Sequence, residues 1–422
     1  MTSLDTDAEN EAVEARQVLS RAYELARNSP EAATRAEAAC ALASALALAG
    51  RDEQAEQLLQ EAEALLPKEP QFALHRILCL MRGSEVAQDR GDGRVAVDRA
   101  QAGQRLLQES GFASALLRYR VSSRLAETYR ADGRFRESAA TFEEAFRRLA
   151  ALGREDTERA GTILNNWALT VYSLGQPLEA ERLFRRAVRV NGGTEPSASP
   201  MLLTNLARTL RDLHRLPEAA DYAEQADAKA RRLGNQVVIY QDLLLRASVY
   251  RMRGQLDRAA AMLREVEPRL KRMVPAGHIA FAAIVLEQAL LDQARGDAAA
   301  ALSAVDRAVA LAEASPQRAS YVSRFLLRRA ELACQNGRLD QALADADAAL
   351  REELQASAPG MPSSMIGQCH LVLGQVRRAQ GRPDEAGAAF ASAFQILRPA
   401  LGERHPATRA AREQAACPTP DR

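Results

Sequence analysis

The sequence predicts an all-α fold: a superhelix of nine helical hairpins with a half-unit helix at each end. Three observations predict it. A turn residue recurs at Gly50, Gly91, Gly133, Gly175, His214, Gly254, Gly296, Gly337 and Gly381, a period of about 41 residues. Around each turn stands the same triplet of small side chains. Seven places before it lie Ala43, Ser84, Ala126, Ala168, Ala207, Ala247, Ala289, Ala330 and Gly374. Five places after it lie Ala55, Ala96, Ser138, Ala180, Ala219, Ala259, Ala301, Ala342 and Ala386. Twelve after it come Ala62, Gly103, Ala145, Ala187, Ala226, Val266, Ala308, Ala349 and Ala393. Chance would place about five alanines in these positions, and 22 of the 27 are alanine. The third observation is that no stretch alternates apolar and polar residues as a half-buried strand does.

The triplet has a physical reason. Helices in a hairpin, and hairpins in a stack, approach to about 8–10 Å at their crossings, where only small side chains fit. Nine places after the turn, Leu59, Phe142, Phe184, Leu263, Val305 and Phe390 supply the bulk that fills the space between hairpins. Residues 9–27 match the second helix of a repeat, with Ala15, Leu19 and Ala22 at the triplet spacing from Asn10. Pro406 to Ala416 reads as the first helix of an uncompleted tenth unit. The expected organisation is an N-terminal capping helix at 1–34, the repeat array at 35–400, and a C-terminal capping helix with a disordered tail at 401–422; terminal repeats carry the polar outer face. Two loops rich in helix breakers, Asn191 to Pro200 and Ala356 to Ser364, are expected to connect consecutive hairpins without separating domains.

Lys and Arg total 56 against 55 acidic residues, a net charge of +1, which argues against nonspecific nucleic-acid binding. Only three of those cations are lysine, a bias that with the alanine richness suggests a GC-rich, bacterial coding sequence. Met1 to Asn10 is polar and acidic, without the basic flank and apolar core of a signal peptide, so a cytoplasmic protein is expected. The longest apolar run, Ala38 to Ala49, is too short to span a bilayer, so no membrane partner is expected. Cys40, Cys79, Cys334, Cys369 and Cys417 show no metal or redox-motif spacing and are expected to be reduced and packed.

The repeat resembles the tetratricopeptide repeat, most clearly in Asn166-Trp167-Ala168 before Gly175 and Ala180, Phe184 and Ala187 after it. Its length is similar to the longer repeats of kinesin light chains and of bacterial signalling regulators. Leu164-Asn165-Asn166-Trp167-Ala168 resembles the Leu-Asn-Asn-Leu-Ala of the former, and Leu401-Gly402-Glu403-Arg404-His405-Pro406-Ala407-Thr408 the Leu-Gly-x-x-His-Pro-x-Thr that opens their repeats. His214 in place of glycine and Arg90-Gly91-Asp92-Gly93 depart from the pattern. The resemblance implies a right-handed superhelix whose first helices line a concave groove, with ligand-facing places at fixed distances before each turn. On this chain those places include Arg120 and Arg124, Asn165, Asn166 and Tyr172, Asn205, Arg208 and Arg211, and Arg251. Asn166 and Asn205 stand where the family's asparagines grip peptide backbone, and an amide offers donor and acceptor together. The arginines would add charge-assisted bonds to carboxylates. Leu286, Leu290, Leu327 and Leu371 make the later wall more apolar. The resemblance thus implies a noncatalytic scaffold or adaptor binding an extended, acidic peptide of a protein partner. Its alternative is an allosteric, peptide-sensing regulator of a kinase, phosphatase or transcription factor.

No catalytic, metal or cofactor residues are expected. Gly91-Asp92-Gly93 lacks the rest of a phosphate cradle. Signatures of kinases, zinc proteases and the nucleophile elbow are missing. Cys369 and His370 are adjacent on a helix and point about 100° apart, unsuited to a nucleophile and its base.

Overall fold

A computed structural model describes residues 3–190, 198–275, 277–315, 318–356 and 360–416. Among them every regular element is helical. Residues 191–197 and 357–359 of the two loops, and Cys417 with the rest of the tail, lie outside the described residues.

Contacts divide the chain into two compact units, Met1–Thr170 and Val171–Arg422. The first contains α1 (Ser3–Ala26) and the hairpins α2 (Ala32–Ala47) with α3 (Asp52–Leu65), α4 (Ala73–Asp89) with α5 (Gly93–Glu109), and α6 (Ala115–Ala131) with α7 (Phe135–Ala150). Helix α8 (Glu158–Ser173) runs through the division, which falls in neither of the two breaker-rich loops. The second unit continues with α9 (Pro177–Val190) and the hairpins α10 (Pro200–Asp212) with α11 (Leu216–Arg232), α12 (Gln236–Met252) with α13 (Leu256–Met273), and α14 (Ile279–Ala294) with α15 (Ala298–Glu313). Then come α16 (Arg318–Gln335) with α17 (Leu339–Ala356), α18 (Ser364–Ala379) with α19 (Pro383–Leu401), and α20 (Pro406–Ala415).

All 27 small-residue positions are buried. The bulk between hairpins is equally well placed, Phe142, Phe184 and Phe390 being among the largest fully buried side chains. Each hairpin turn uses one device. Gly50 has φ +70°, its N–H donates to Ala47 O, and the next N–H, of Arg51, reaches back to Leu46 O at 2.9 Å. This pair of bonds closes a helix only when the turn residue is left-handed, which glycine permits without a Cβ penalty. His214 makes the same two-bond turn at φ +59°.

Adjacent repeats are also stitched by polar pairs roughly one period apart. Arg99 with Glu56, Arg124 with Glu85, Asn166 with Glu127, Tyr172 with Asp212 and Arg251 with Glu287 are examples.

One expectation is corrected here. Cys40 and Cys79 are joined by a disulfide, with Cα atoms 5.6 Å apart, so neither is a reduced thiol. Their separation of 39 residues is close to one repeat, which puts them side by side on the neighbouring first helices α2 and α4. Cys334 and Cys369 are free thiols.

Candidate functional site

Within the first unit, α6 and α8 bring Arg124, Glu127, Asn165 and Asn166 together. Arg124 pairs with Glu85 and, at 3.2 Å, with Glu127. Asn166 Nδ2 donates to Glu127 Oε1 at 3.3 Å while its Oδ1 accepts from Asn165 Nδ2 at 3.1 Å. Burial pushes the Glu127 carboxyl upward, and Arg124 and Arg130 oppose that rise. Arg120 lies on the same helix as Arg124 and is exposed.

The second unit holds a larger assembly on its first helices. The Asp212 carboxylate accepts from the Tyr172 hydroxyl and pairs with Arg211 at 2.7 Å. Arg208 stands 5.2 Å from the Tyr172 ring centroid and donates to Asn205 Oδ1 at 3.0 Å. Asn205 itself is buried. Arg251 pairs with Glu287 at 2.6 Å, and Arg328 with Glu331 at 2.6 Å. Protein crowds these groups from several helices, yet the Arg211 and Asp212 side chains keep 21% and 32% of their surface open to solvent.

The electrostatics tie the helices to one another. Burial alone would raise Asp212, but Arg211, the Tyr172 hydroxyl and Arg324 hold it below the usual carboxylate range. Tyr172 is raised by burial and by that carboxylate. Burial works against the charge of Arg211, and Asp212, Tyr172 and Glu287 more than reverse it, so its pKa is raised. Arg328 is raised by Glu331 and also feels Asp212. Burial lifts Glu353, which accepts from Ser323 and faces Arg324.

Tyr172, Asn205, Arg208, Arg211 and Arg251, expected from the sequence to face a ligand, stand in this assembly together with Asp212, Glu287, Arg324, Arg328 and Glu331, which were not among the expected residues. Each of these occupies one of the same places before its turn, so the rule that selected the others reaches them too. Among the described residues no cluster of His, Cys, Asp and Glu is arranged to hold a metal ion. Burial pushes the Cys369 thiol far up and His370 down, which favours a protonated thiol beside a neutral ring.

The rim of this unit closes on itself. Ser364 N–H donates to Gly175 O at 2.7 Å, and a cluster containing Leu213, Phe390, Leu397 and Leu401 takes in Leu178. His405 Nδ1 accepts from Ala407 N–H, so in the neutral ring Nε2 carries the proton and donates to Asp212 O at 3.1 Å. Burial lowers His405 to about 4, which keeps it neutral at physiological pH. Asp212 therefore meets the groove through its carboxylate and the closure through its carbonyl.

Stacked antiparallel hairpins with small residues at their crossings define a helical-repeat superhelix of the interaction class. Family models described as tetratricopeptide repeat match residues 115–191 and 201–233, so the chain carries tetratricopeptide repeats there. Such repeats generally serve as interaction scaffolds. Among curated proteins, none matches the sequence. The apo form of RapI is similar at 11% identity, covering 85% of this chain and 96% of that one, with a TM-score of 0.53. A Rap protein complexed with competence and sporulation factor is similar at 12% identity, covering 83% and 97%, with a TM-score of 0.50. A human IFIT1 dimer with m7Gppp-AAAA aligns at 14% identity, covering 95% and 84%, with a TM-score of 0.50. At these identities the likeness is one of fold. Because the IFIT1 structure carries RNA, the fold by itself does not exclude nucleic acid. No helix among the described residues is long and apolar enough to cross a membrane.

Proposed function

We propose that the protein is a noncatalytic scaffold that holds an extended, acidic segment of a partner protein against the first helices of its second unit. One observation carries this reading. In that unit Arg208, Arg211, Arg251, Arg324 and Arg328 face Asp212, Glu287 and Glu331, so the wall has more cations than carboxylates although the chain is nearly neutral. Charge-assisted bonds from arginine to carboxylate are directional and stronger than neutral ones. The near-zero net charge favours a peptide over a polyphosphate backbone, whose binding draws on a broad basic surface. The complex of a Rap protein with competence and sporulation factor is in keeping with this choice. The reading extends to Arg120, Arg124, Asn165 and Asn166 as contacts of the first unit.

Selection from a random library of displayed dodecapeptides tests the proposal. Asp- and Glu-rich sequences should emerge, with affinity that falls as salt rises and falls about tenfold or more in Arg208→Glu and Arg324→Glu, each loss equivalent to about 1.4 kcal/mol or more. Selection of basic or purely apolar sequences, or unchanged affinity in both variants, would overturn it. The link through Asp212 favours a second reading, an allosteric regulator in which a ligand drawing on that carboxylate shifts the closure at His405. Small-angle scattering with and without a selected peptide separates the two, because only the regulator changes shape.

A further inference from the structure

The first unit contains a cavity of about 270 Å³ between α3, α4 and α5, away from any groove residue named above. Its origin lies in the repeat register. Eight places before the turn, eight of the nine repeats carry a large side chain, Leu42, Leu125, Trp167, Leu206 and Leu373 among them, and the second repeat carries Gly83. Where other repeats place that side chain the Arg99 stem now lies, and Gly83 and Arg99 together line the hollow that remains. Arg99 passes along one edge with Cδ only 3.2 Å from where a Gly83 Cβ would stand, and it is pinned there by Gly83 O at 3.0 Å and by Glu56. Leu59, Leu66, Leu80 and Leu106 form the apolar wall.

The charged groups around the hollow are unequal. Arg76 is half-buried in its lining and, like Arg105, has no ion pair or side-chain hydrogen bond among the described residues. Glu63 and Glu109 are exposed, where water screens them. The volume sits at the small end of ligand pockets, which pair an apolar lining with a few placed polar groups. We propose that this cavity binds a small amphipathic anion, with its apolar body against the leucines and a single carboxylate on Arg76. That chemistry is shared by a medium-chain fatty acid and by the free C-terminus of a chain ending in an apolar residue.

Calorimetric titration of the full chain with octanoate, octanol and N-acetyl-leucine tests it. Wild type should bind octanoate or N-acetyl-leucine, and whichever binds more tightly identifies the source. Gly83→Leu places there the leucine that four other repeats carry and improves helix propensity, and it should weaken binding by about tenfold or more, since the hollow is filled. Arg76→Gln leaves the hollow intact and should weaken the carboxylates about fivefold or more while sparing octanol, because only the charge-assisted bond is lost. Circular dichroism of both variants shows that the fold persists. Failure of both carboxylates to bind at millimolar concentration, octanol binding as tightly as octanoate, or wild-type binding by Gly83→Leu would each overturn the proposal.

Discussion

Replacing Asp242 with asparagine should flatten the fall in stability that the protein shows as pH rises. Asp242 is fully buried in α12, and burial, reinforced by Asp227, pushes its carboxyl from 3.8 up to about 8 against the pull of Thr204 and Arg246. The hydrogen bonds fit a neutral acid. Thr204 Oγ1 lies 3.0 Å from Pro200 O and 2.8 Å from Asp242 Oδ1, yet a hydroxyl has one proton to give. If Thr204 donates to the Pro200 carbonyl, Asp242 must donate to Thr204, which requires its carboxyl to be protonated. Because the folded pKa is raised, the stabilising contribution is complete below 3.8 and is lost as pH climbs through about 8. Each unit within that window costs about 1.4 kcal/mol, so roughly 4 kcal/mol disappears between about pH 4 and 7. Urea unfolding of wild type and Asp242→Asn from about pH 5 to 8 reads the difference directly. The variant should gain on wild type by about 1.4 kcal/mol per pH unit, whatever its offset at acid pH. The lowered carboxyls of Asp212, Glu218 and Glu265 act in the opposite sense at low pH, but they are common to both proteins and cancel in the difference. Parallel curves would refute the reasoning and place a compensated carboxylate at Asp242.

Two further predictions concern the turns. Gly175→Ala should destabilise more than Gly254→Ala in thermal melts: both add a Cβ at positive φ, a strain of about 1–2 kcal/mol, but only at Gly175 does it meet backbone, Ser364 N at 3.0 Å and Ser363 Cα at 3.1 Å. Equal losses would show that the contact between the α8–α9 turn and the start of α18 is absent in solution. His214→Gly should raise the urea midpoint by the equivalent of about 1 kcal/mol, since a glycine relieves the left-handed strain; a loss would mean that the ring's edge-on contact with His405, 6.2 Å between centroids, outweighs it.

The parts of the fold that are legible in the sequence are those whose physics repeats. A crossing that admits only Ala180 or Ala187 recurs in each hairpin, so periodicity exposes it without any knowledge of partners. The turn residues are legible for the same reason, and His214 is found by register where composition alone would miss it. The Cys40–Cys79 bond lay closer to reach than its reading as two reduced thiols allowed, because a separation near one repeat places two side chains on adjacent first helices. Charge partners are harder. Arg324, Arg328 and Glu331 stand at ligand-facing places of α16, but Leu327 on the same helix gives that stretch an apolar character in the sequence. The closure of the second unit has no sequence signature, because Gly175 with Ser364 and Asp212 with His405 are single long-range contacts that obey no period.

That closure alters how the second unit must come apart. In an open stack of repeats each hairpin leans only on its neighbours, so stability is a sum of local terms and terminal hairpins fray first. Here the last hairpin rests on the first. Gly175 and Ser364 are 189 positions apart, Asp212 and His405 193, and forming such contacts requires the chain between them to be largely ordered. Folding of this unit is therefore weighted toward late, non-local contacts, which slows it relative to an open array of the same hairpins. Amide protons of α19 and α20, at the end of the chain where exchange is usually fastest, should be protected together with those of α10 and released only when the whole circuit opens.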